Sequence, residues 1–320
     1  GAVTGNSSVG GLLGSAASET YEFDGYWNKE SSGRTSSARG TGLTTAQMRQ
    51  RANFPCYNFF TLWRIDEGGD APVFQDVFVY APPAGLTPGD LAGAGTAESP
   101  YLIGSADELN VMRQALASHY RLTHDIDLAA CVTWNAGHGW SPVGTSGSPF
   151  TGALDGAGFT IRNLTVNRPG SYHQGLFGYL SGAAVCNLRL ENVNVRGLNG
   201  TGGLAGYATY AAIENVHVEG EVRGINYTGG VAGELNHGAA AQVTASVAVL
   251  GENYTGGIAG NVNGNATARH LFATGSVRGD DYVGGLIGRL SGSTAPTRPV
   301  VADSFSRTAV YGRTQVGGAV

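Results

Sequence analysis

Apolar and polar residues alternate over several stretches in the second half of the chain. They are "LRLENVNVRG" from 188, "IENVHVEGEVRG" from 213, "VTASVAVLGEN" from 243 and "LFATGSVRGDD" from 271. A period of two over such runs predicts strands with one face buried. Between the runs a second pattern returns. "NYTGGVAGEL" at 226 is nearly copied by "NYTGGIAGNV" at 253, and the second glycines of such pairs fall at Gly203, Gly230, Gly257 and Gly285. Gly175 in "QGLFGYL" precedes Gly203 by 28 residues, Gly318 in "VGGAV" follows Gly285 by 33, and Gly11 in "SSVGGLLG" at the other end of the chain makes a seventh copy.

One such unit holds about three short strands parted by Gly, Asn and Asp turns and cannot bury its apolar face alone. Stacking solves this, so the predicted fold is all-β: a right-handed parallel β-solenoid of ~27-residue rungs, at the ~4.8 Å spacing of paired strands. The glycine pairs are expected at a tight corner, where a Cβ would clash or φ must be positive. Asn199, Asn226, Asn253 and Asp281 share one position before the pair, and Tyr227, Tyr254 and Tyr282 share the next. Like residues in columns form hydrogen-bond ladders and ring stacks. For the Tyr column a structural stack ranks ahead of a carbohydrate-binding stripe.

Ahead of the rungs, "SADELNVMRQAL" carries a capping box, Ser105 with Glu108, and sets Leu109, Met112 and Leu116 on one face. This predicts a short helix near 105–118 that plugs the open end of a solenoid running from about 120 to 320. Residues 1–80 are expected to hold terminal rung material and a closing segment with a short helix at "TTAQMRQRA" started by Thr44 or Thr45. The Pro- and Gly-rich stretch 81–99 is the expected linker, and 100–320 the capping helix and solenoid.

The repeats resemble the GLUG motif, a short G-L-apolar-G sequence. Its copies here are "GLFG", "GLAG", "GVAG", "GIAG", "GLIG" and "GLLG". "SPYLIGSADELNVMRQ" with "YRLTHDIDLA", "WSPVG" and "PFTGALDGAGFTIRNLTV" is similar to the opening segment of such modules. "GYWNKESSGRTSSARGTGLTTAQMRQ" with "FTLWRIDEGGDAPVF" is similar to their closing segment. The closing type (20–74) precedes the opening type (95–166), so the order is permuted. The resemblance implies secreted or surface proteins, chiefly bacterial, among them adhesins, filaments and non-catalytic regions of secreted peptidases. It carries over no catalytic residue. "AVTGNSSVGGLLG" and "AVYGRTQVGGAV" align through Val3 with Val310, Gly5 with Gly312, Val9 with Val316, and Gly11 with Gly318. Both ends are therefore expected to be rung-type and to associate head-to-tail, or to join tandem modules of the same protein.

Composition narrows the function classes. Gly is 52 of 320 residues and charged residues are 13%, which leaves little for long amphipathic helices with charged outer faces. With a net charge of -5 and few Lys or Arg there is no basic patch for nucleic acid, and no run approaches a membrane span. Cys56, Cys131 and Cys186 lack zinc-site spacing and are expected to be buried thiols, or one disulfide with an odd cysteine.

Candidate chemistry is sparse. Asp125 and Asp127 in "HDIDL" form an Asp-x-Asp pair suited to Ca²⁺ or to acid–base work, with a structural role ranked ahead. Asp66, Glu67 and Asp70 are oxygen-rich but lack the twelve-residue calcium-loop spacing, and no cofactor is expected. His119, His124 and His138 form no His-Glu-x-x-His arrangement, and "GTSGSPF" has no nucleophile-elbow context. The sequons at Asn6, Asn163, Asn199, Asn226, Asn253 and Asn265 are expected to be incidental. The leading expectation is a non-enzymatic, extracellular structural solenoid of a filament, stalk or adhesin. The alternative is a module binding a surface glycan or host receptor through the Tyr column or through Trp134, Trp140 and Phe150. A polysaccharide-acting enzyme, using acids such as Asp155, Asp280 or Asp281, ranks last.

Overall fold

The computed structural model describes residues 26–38, 40–54, 63–64, 73–74, 86–292 and 298–319. The chain divides into two compact units, 1–77 and 78–320. In the first, strands Tyr26–Asn28 and Thr41–Leu43 pair in parallel, and Trp63–Arg64 pairs antiparallel with Val73–Phe74. Asn28 caps helix Lys29–Ser32 by accepting from the Glu30 and Ser31 amides. Of the two expected starts it is Thr44 that caps, holding helix Thr45–Met48 with both arms of a capping box to Gln47. Gly11, Val3 and Val9 lie outside the described residues.

The second unit is an all-β parallel solenoid of about five turns. Each complete coil crosses three sheets. The long strands Ala184–Arg196, Ala212–Arg223 and Ala239–Leu250 form the central part of a 13-stranded sheet, and two five-stranded sheets close the coil. One of these holds Asn199–Gly202, Asn226–Gly229, Asn253–Gly256, Asp281–Gly284 and Thr314–Gly317. The other holds Phe177–Ser181, Ala205–Thr209, Ala232–Asn236, Ala259–Asn263 and Ile287–Ser291. Within these three sheets every pairing between named strands is parallel, and like residues meet: Val218 pairs Ala245, Val222 pairs Val249, and Thr228 pairs Thr255. The inward columns fill one continuous aliphatic core, from Ile103 and Leu122 through Leu190, Val218 and Val249 to Val277 and Ile287. Alternation becomes a core in this way because successive side chains of a strand face opposite sides of the sheet.

The capping helix is real but shorter than predicted. It runs Ala106–Val111 and continues as a 3₁₀ turn, Met112–Gln114. Ser105 Oγ accepts from the Glu108 amide at 3.3 Å, while the Glu108 carboxylate returns to the Gly104 amide at 2.7 Å. Leu109, Val111 and Met112 are buried in the core, and the strands on either side of the helix, Tyr101–Ile103 and His119–Leu122, pair with each other. The stretch expected to be a linker is folded from residue 86 onward. Leu91 is buried in the solenoid core, and the Ala92 and Gly95 carbonyls accept from the Leu102 and His119 amides.

Paired glycines turn their corner by close approach. No pair member in coils 199–285 has positive φ. A methyl added at Gly230 would lie 2.2 Å from the Gly257 carbonyl oxygen, and at Gly257 2.3 Å from that of Gly285. The positive-φ alternative is thereby corrected. The left-handed positions fall elsewhere, on the tyrosines.

Candidate functional site

The asparagine and tyrosine columns stand side by side on one corner of the solenoid. Asn199, Asn226, Asn253, Asp281 and Thr314 are paired in register. Asn226 Nδ2 donates to Asn199 Oδ1 at 3.0 Å, and Asn253 Nδ2 donates to Asn226 Oδ1 at 2.8 Å. An amide both donates and accepts, so it propagates such a chain, whereas a carboxylate only accepts. Asp281 accordingly turns to Arg313, whose Nη2 is 3.4 Å away, and to the Thr314 hydroxyl.

The neighbouring column runs His173, Gly200, Tyr227, Tyr254, Tyr282 and Gln315, and every member has φ between 49° and 66°. Left-handed backbone costs an L-residue about 1–2 kcal/mol. The ring stack is what the tyrosines gain at these positions: Tyr227 and Tyr254 lie 4.9 Å apart and 9° from parallel, and Tyr254 and Tyr282 4.8 Å apart at 31°. Glycine stands at position 200, where the conformation is adopted without that strain.

A third column on the adjoining sheet completes the site, and it was missed in the sequence because its members differ. Tyr179, Tyr207, Glu234, Asn261 and Arg289 follow one another in register. Tyr179 and Tyr207 stack at 4.7 Å, and the His173 ring packs against them at 5.5 and 5.6 Å. The Arg289 guanidinium sits 5.0 Å over the Tyr254 ring. Asn261 Nδ2 donates to Glu234 Oε2 at 3.3 Å and accepts from the Ser291 hydroxyl at 2.9 Å. Burial raises the Glu234 pKa, against the lowering influence of the Asn261 hydrogen bond and the Arg289 charge. Burial likewise raises Tyr227, with the Glu234 charge adding to it.

This geometry limits what the Tyr column can do. A ring in the middle of a stack has both faces covered by its neighbours, so Tyr254 offers an edge and a hydroxyl, not a flat platform. Trp134, Trp140 and Phe150, the other aromatic residues of the binding alternative, are interior. Trp140 Nε1 donates to the Leu176 carbonyl at 3.0 Å, and Phe150 packs 5.0 Å from Phe177. They are core residues, which corrects their expected place on a recognition surface.

The carboxylates singled out by sequence hold strands together. Asp125 accepts from the Thr160 amide and from Arg162 Nη2, and Asp127 from the Ala129 amide and Asn163 Nδ2. The Asn163 and Ala129 bonds lower the Asp127 pKa. Further ladders, not foreseen, start from these acids. Asn192 donates to Asn163 at 2.7 Å; Asn187 donates to Asp155 at 3.0 Å, and Asn215 to Asn187 at 2.9 Å. Their spacings of 28 to 32 residues were the available signal. The sequon residues Asn163, Asn199, Asn226 and Asn253 all belong to ladders. Cys131 is a buried free thiol pushed up to about 12 by its burial, and Cys186 is free and half-buried. Asp66, Glu67, Asp70 and Cys56 lie outside the described residues. Among the described residues, no cluster of three His, Cys, Asp or Glu suits a metal, and no helix is long and apolar enough to cross a membrane.

At the far end, Val310 is half-buried and Val316 is 47% exposed, although Val283, its in-register partner, is fully buried. Around Gly318 an added methyl would meet nothing within 4 Å.

The GLUG motif model matches residues 197–223, one coil of the solenoid. A stretch covering 36% of this chain is 43% identical to halomucin of Haloquadratum walsbyi and spans 1% of that protein. A stretch covering 40% is 36% identical to a protein of Evansella cellulosilytica described as a Gly-rich membrane protein, and spans 15% of it. The chain thus matches only a small part of the length of these curated relatives. A solved structure from Bacteroides ovatus, described as an immunoglobulin A1 protease, aligns over 69% of each chain at 20% identity and a TM-score of 0.49, a likeness too slight to bear on function. With the motif matched at 197–223 and its residues stacked in register through the adjoining coils, this part of the chain is built from repeats of the GLUG type.

Proposed function

We propose that the chain is a stiff, non-catalytic structural segment of a secreted or cell-surface protein, as a stretch of a filament, stalk or adhesin. One observation carries this role: successive coils pair in register, so each adds its own backbone ladder to the column, and Asn226, Asn253, Tyr227 and Tyr254 add side-chain bonds and ring contacts between coils. Length and stiffness therefore grow together, by ~4.8 Å per coil. The names of the relatives, a halomucin and a membrane protein, point to the same location.

The column is extended by further coils of the same type, from a second copy or a tandem module, seated on the last described coil. Leu290 and Val316 are 38% and 47% exposed there, while Val262 and Val283, their partners one coil earlier, are buried. The sequence of residues 2–14 aligns with that of the terminal coil through Val3 with Val310 and Val9 with Val316, and so is of the type such an extension needs. Electron microscopy across a concentration series tests this extension. Rods that lengthen with concentration support it, and particles of one fixed length at every concentration overturn it.

A further inference from the structure

Beside the aromatic corner, loop 141–146 and turn 168–174 enclose a shallow pocket of about 280 Å³. Its charge is one-sided. Arg168 lines it half-buried, with no ion pair among the described residues and with its Nε enclosed and unpartnered there. Behind the wall Arg113 Nη1 donates to the Pro142 carbonyl at 2.9 Å and Nε to Asn110 Oδ1 at 2.7 Å, and the guanidinium lies 4.5 Å over the Trp140 ring, while Nη2 has no hydrogen-bond partner among the described residues. Burial, then the like charge of Arg168, pulls the Arg113 pKa down to about 10. No Asp or Glu lines the pocket. An unpaired guanidinium withdrawn from water is costly unless an anion offsets it.

The remaining lining is polar and aromatic. Gln174 is 5% exposed; its Nε2 donates to the Tyr172 and His173 carbonyls at 2.6 and 3.1 Å, and its Oε1 has no partner. Thr145 and Ser146 contribute hydroxyls, and Tyr172 is 60% exposed. Unlike Tyr254, Tyr172 belongs to no stack of tyrosines. Among the described residues its ring contact is with His173, at 6.3 Å and tilted by 59°. One guanidinium for a planar anion, hydroxyl and amide groups, and an open ring face together match an acidic sugar. A polyanion such as nucleic acid calls for a spread of cations that this pocket does not have.

We propose that the pocket at Arg168 and Tyr172 binds a carboxylate-bearing saccharide, its carboxylate on Arg168 and its ring on Tyr172. The site stands independently of the structural role proposed above, since residues 141–146 and 168–174 lie at the first coils and the extension is proposed on the last described coil.

Calorimetric titration of the full chain with tetragalacturonate at low ionic strength is the test, with maltotetraose as the neutral probe. Saturable binding of tetragalacturonate and none of maltotetraose is expected. Arg168→Gln weakens binding about tenfold or more, as loss of a charged hydrogen bond requires. Tyr172→Ala, at an exposed position that leaves the core intact, weakens it about threefold or more through the lost ring contact. Arg307→Gln removes the same charge from a distant exposed site and leaves binding unchanged. No saturable binding of tetragalacturonate overturns the proposal. So do equal losses in the Arg168 and Arg307 variants, or a Tyr172→Ala variant that binds like the parent.

Discussion

Tyr254 stacks on Tyr227 with ring centroids 4.9 Å apart and planes 9° from parallel, and both residues hold left-handed backbone at φ 57° and 54°. The same residues thus carry backbone strain and the contact that offsets it. Tyr254→Ala keeps the strain and loses the stack, and about 2 kcal/mol of stability should disappear in urea unfolding. Tyr254→Gly loses the stack but relieves the strain, so it should fall between parent and alanine variant. A glycine variant less stable than the alanine variant would contradict the account.

Thr201, Thr228 and Thr255 form an inward column that is fully buried, with hydroxyls lacking hydrogen-bond partners, and Val283 continues the same column. Replacing an orphaned hydroxyl by a methyl of the same shape removes a desolvated polar group. Thr228→Val should therefore leave stability unchanged or raise it by about 1 kcal/mol. Chemical denaturation checks this, and a clear loss would mean that the hydroxyl is satisfied.

Gly257→Ala sets a methyl 2.3 Å from the Gly285 carbonyl oxygen and 2.9 Å from the Ala273 side chain. A loss of about 3 kcal/mol is expected, since neither backbone nor core has room to give. Gly318→Ala, with nothing within 4 Å, should change the melting of the isolated chain by less than about 0.5 kcal/mol. It should nevertheless suppress any lengthening of rods, because a covering coil would meet the new methyl as the next coil meets Gly257.

Glu234 has a folded-state pKa raised above its unfolded value by burial. Its protonated form is the one the fold favours, so its contribution to stability is fully present below the unfolded pKa and is lost as pH rises through the folded pKa. Glu234→Gln keeps an acceptor for Asn261 without the buried charge. The variant should melt higher than the parent at pH 7 and alike at pH 3.5. A gain independent of pH would contradict the assignment.

The coils were legible because alternation and a fixed spacing are direct consequences of pleating and of equal-sized turns. Asn226 over Asn199 and Tyr254 over Tyr227 followed from like residues recurring at that spacing. The column Tyr179, Tyr207, Glu234, Asn261 and Arg289 was hidden, since unlike residues leave no repeat to see. Left-handed backbone at Tyr227 was hidden for another reason: tyrosine, unlike glycine, gives no compositional sign of it. The burial of Trp140 and Phe150 depends on loops that fold over the first coils and carry no period. The pocket at Arg168 joins two such loops, 27 residues apart between Arg168 and Ser141, which only the fold brings together.

Stacking of the coils in register is the claim beneath the rest. Asn194, Glu221, Ala248, Ser276 and Ala309 are successive in-register partners on the outer face of the long sheet, so Asn194 and Ala309 are four strand spacings apart, ~19 Å. Pulsed electron paramagnetic resonance between spin labels at these two positions measures that separation directly. A single narrow distribution near 20 Å is the predicted result, and a broad distribution, or one centred far beyond that distance, would contradict the stacked column.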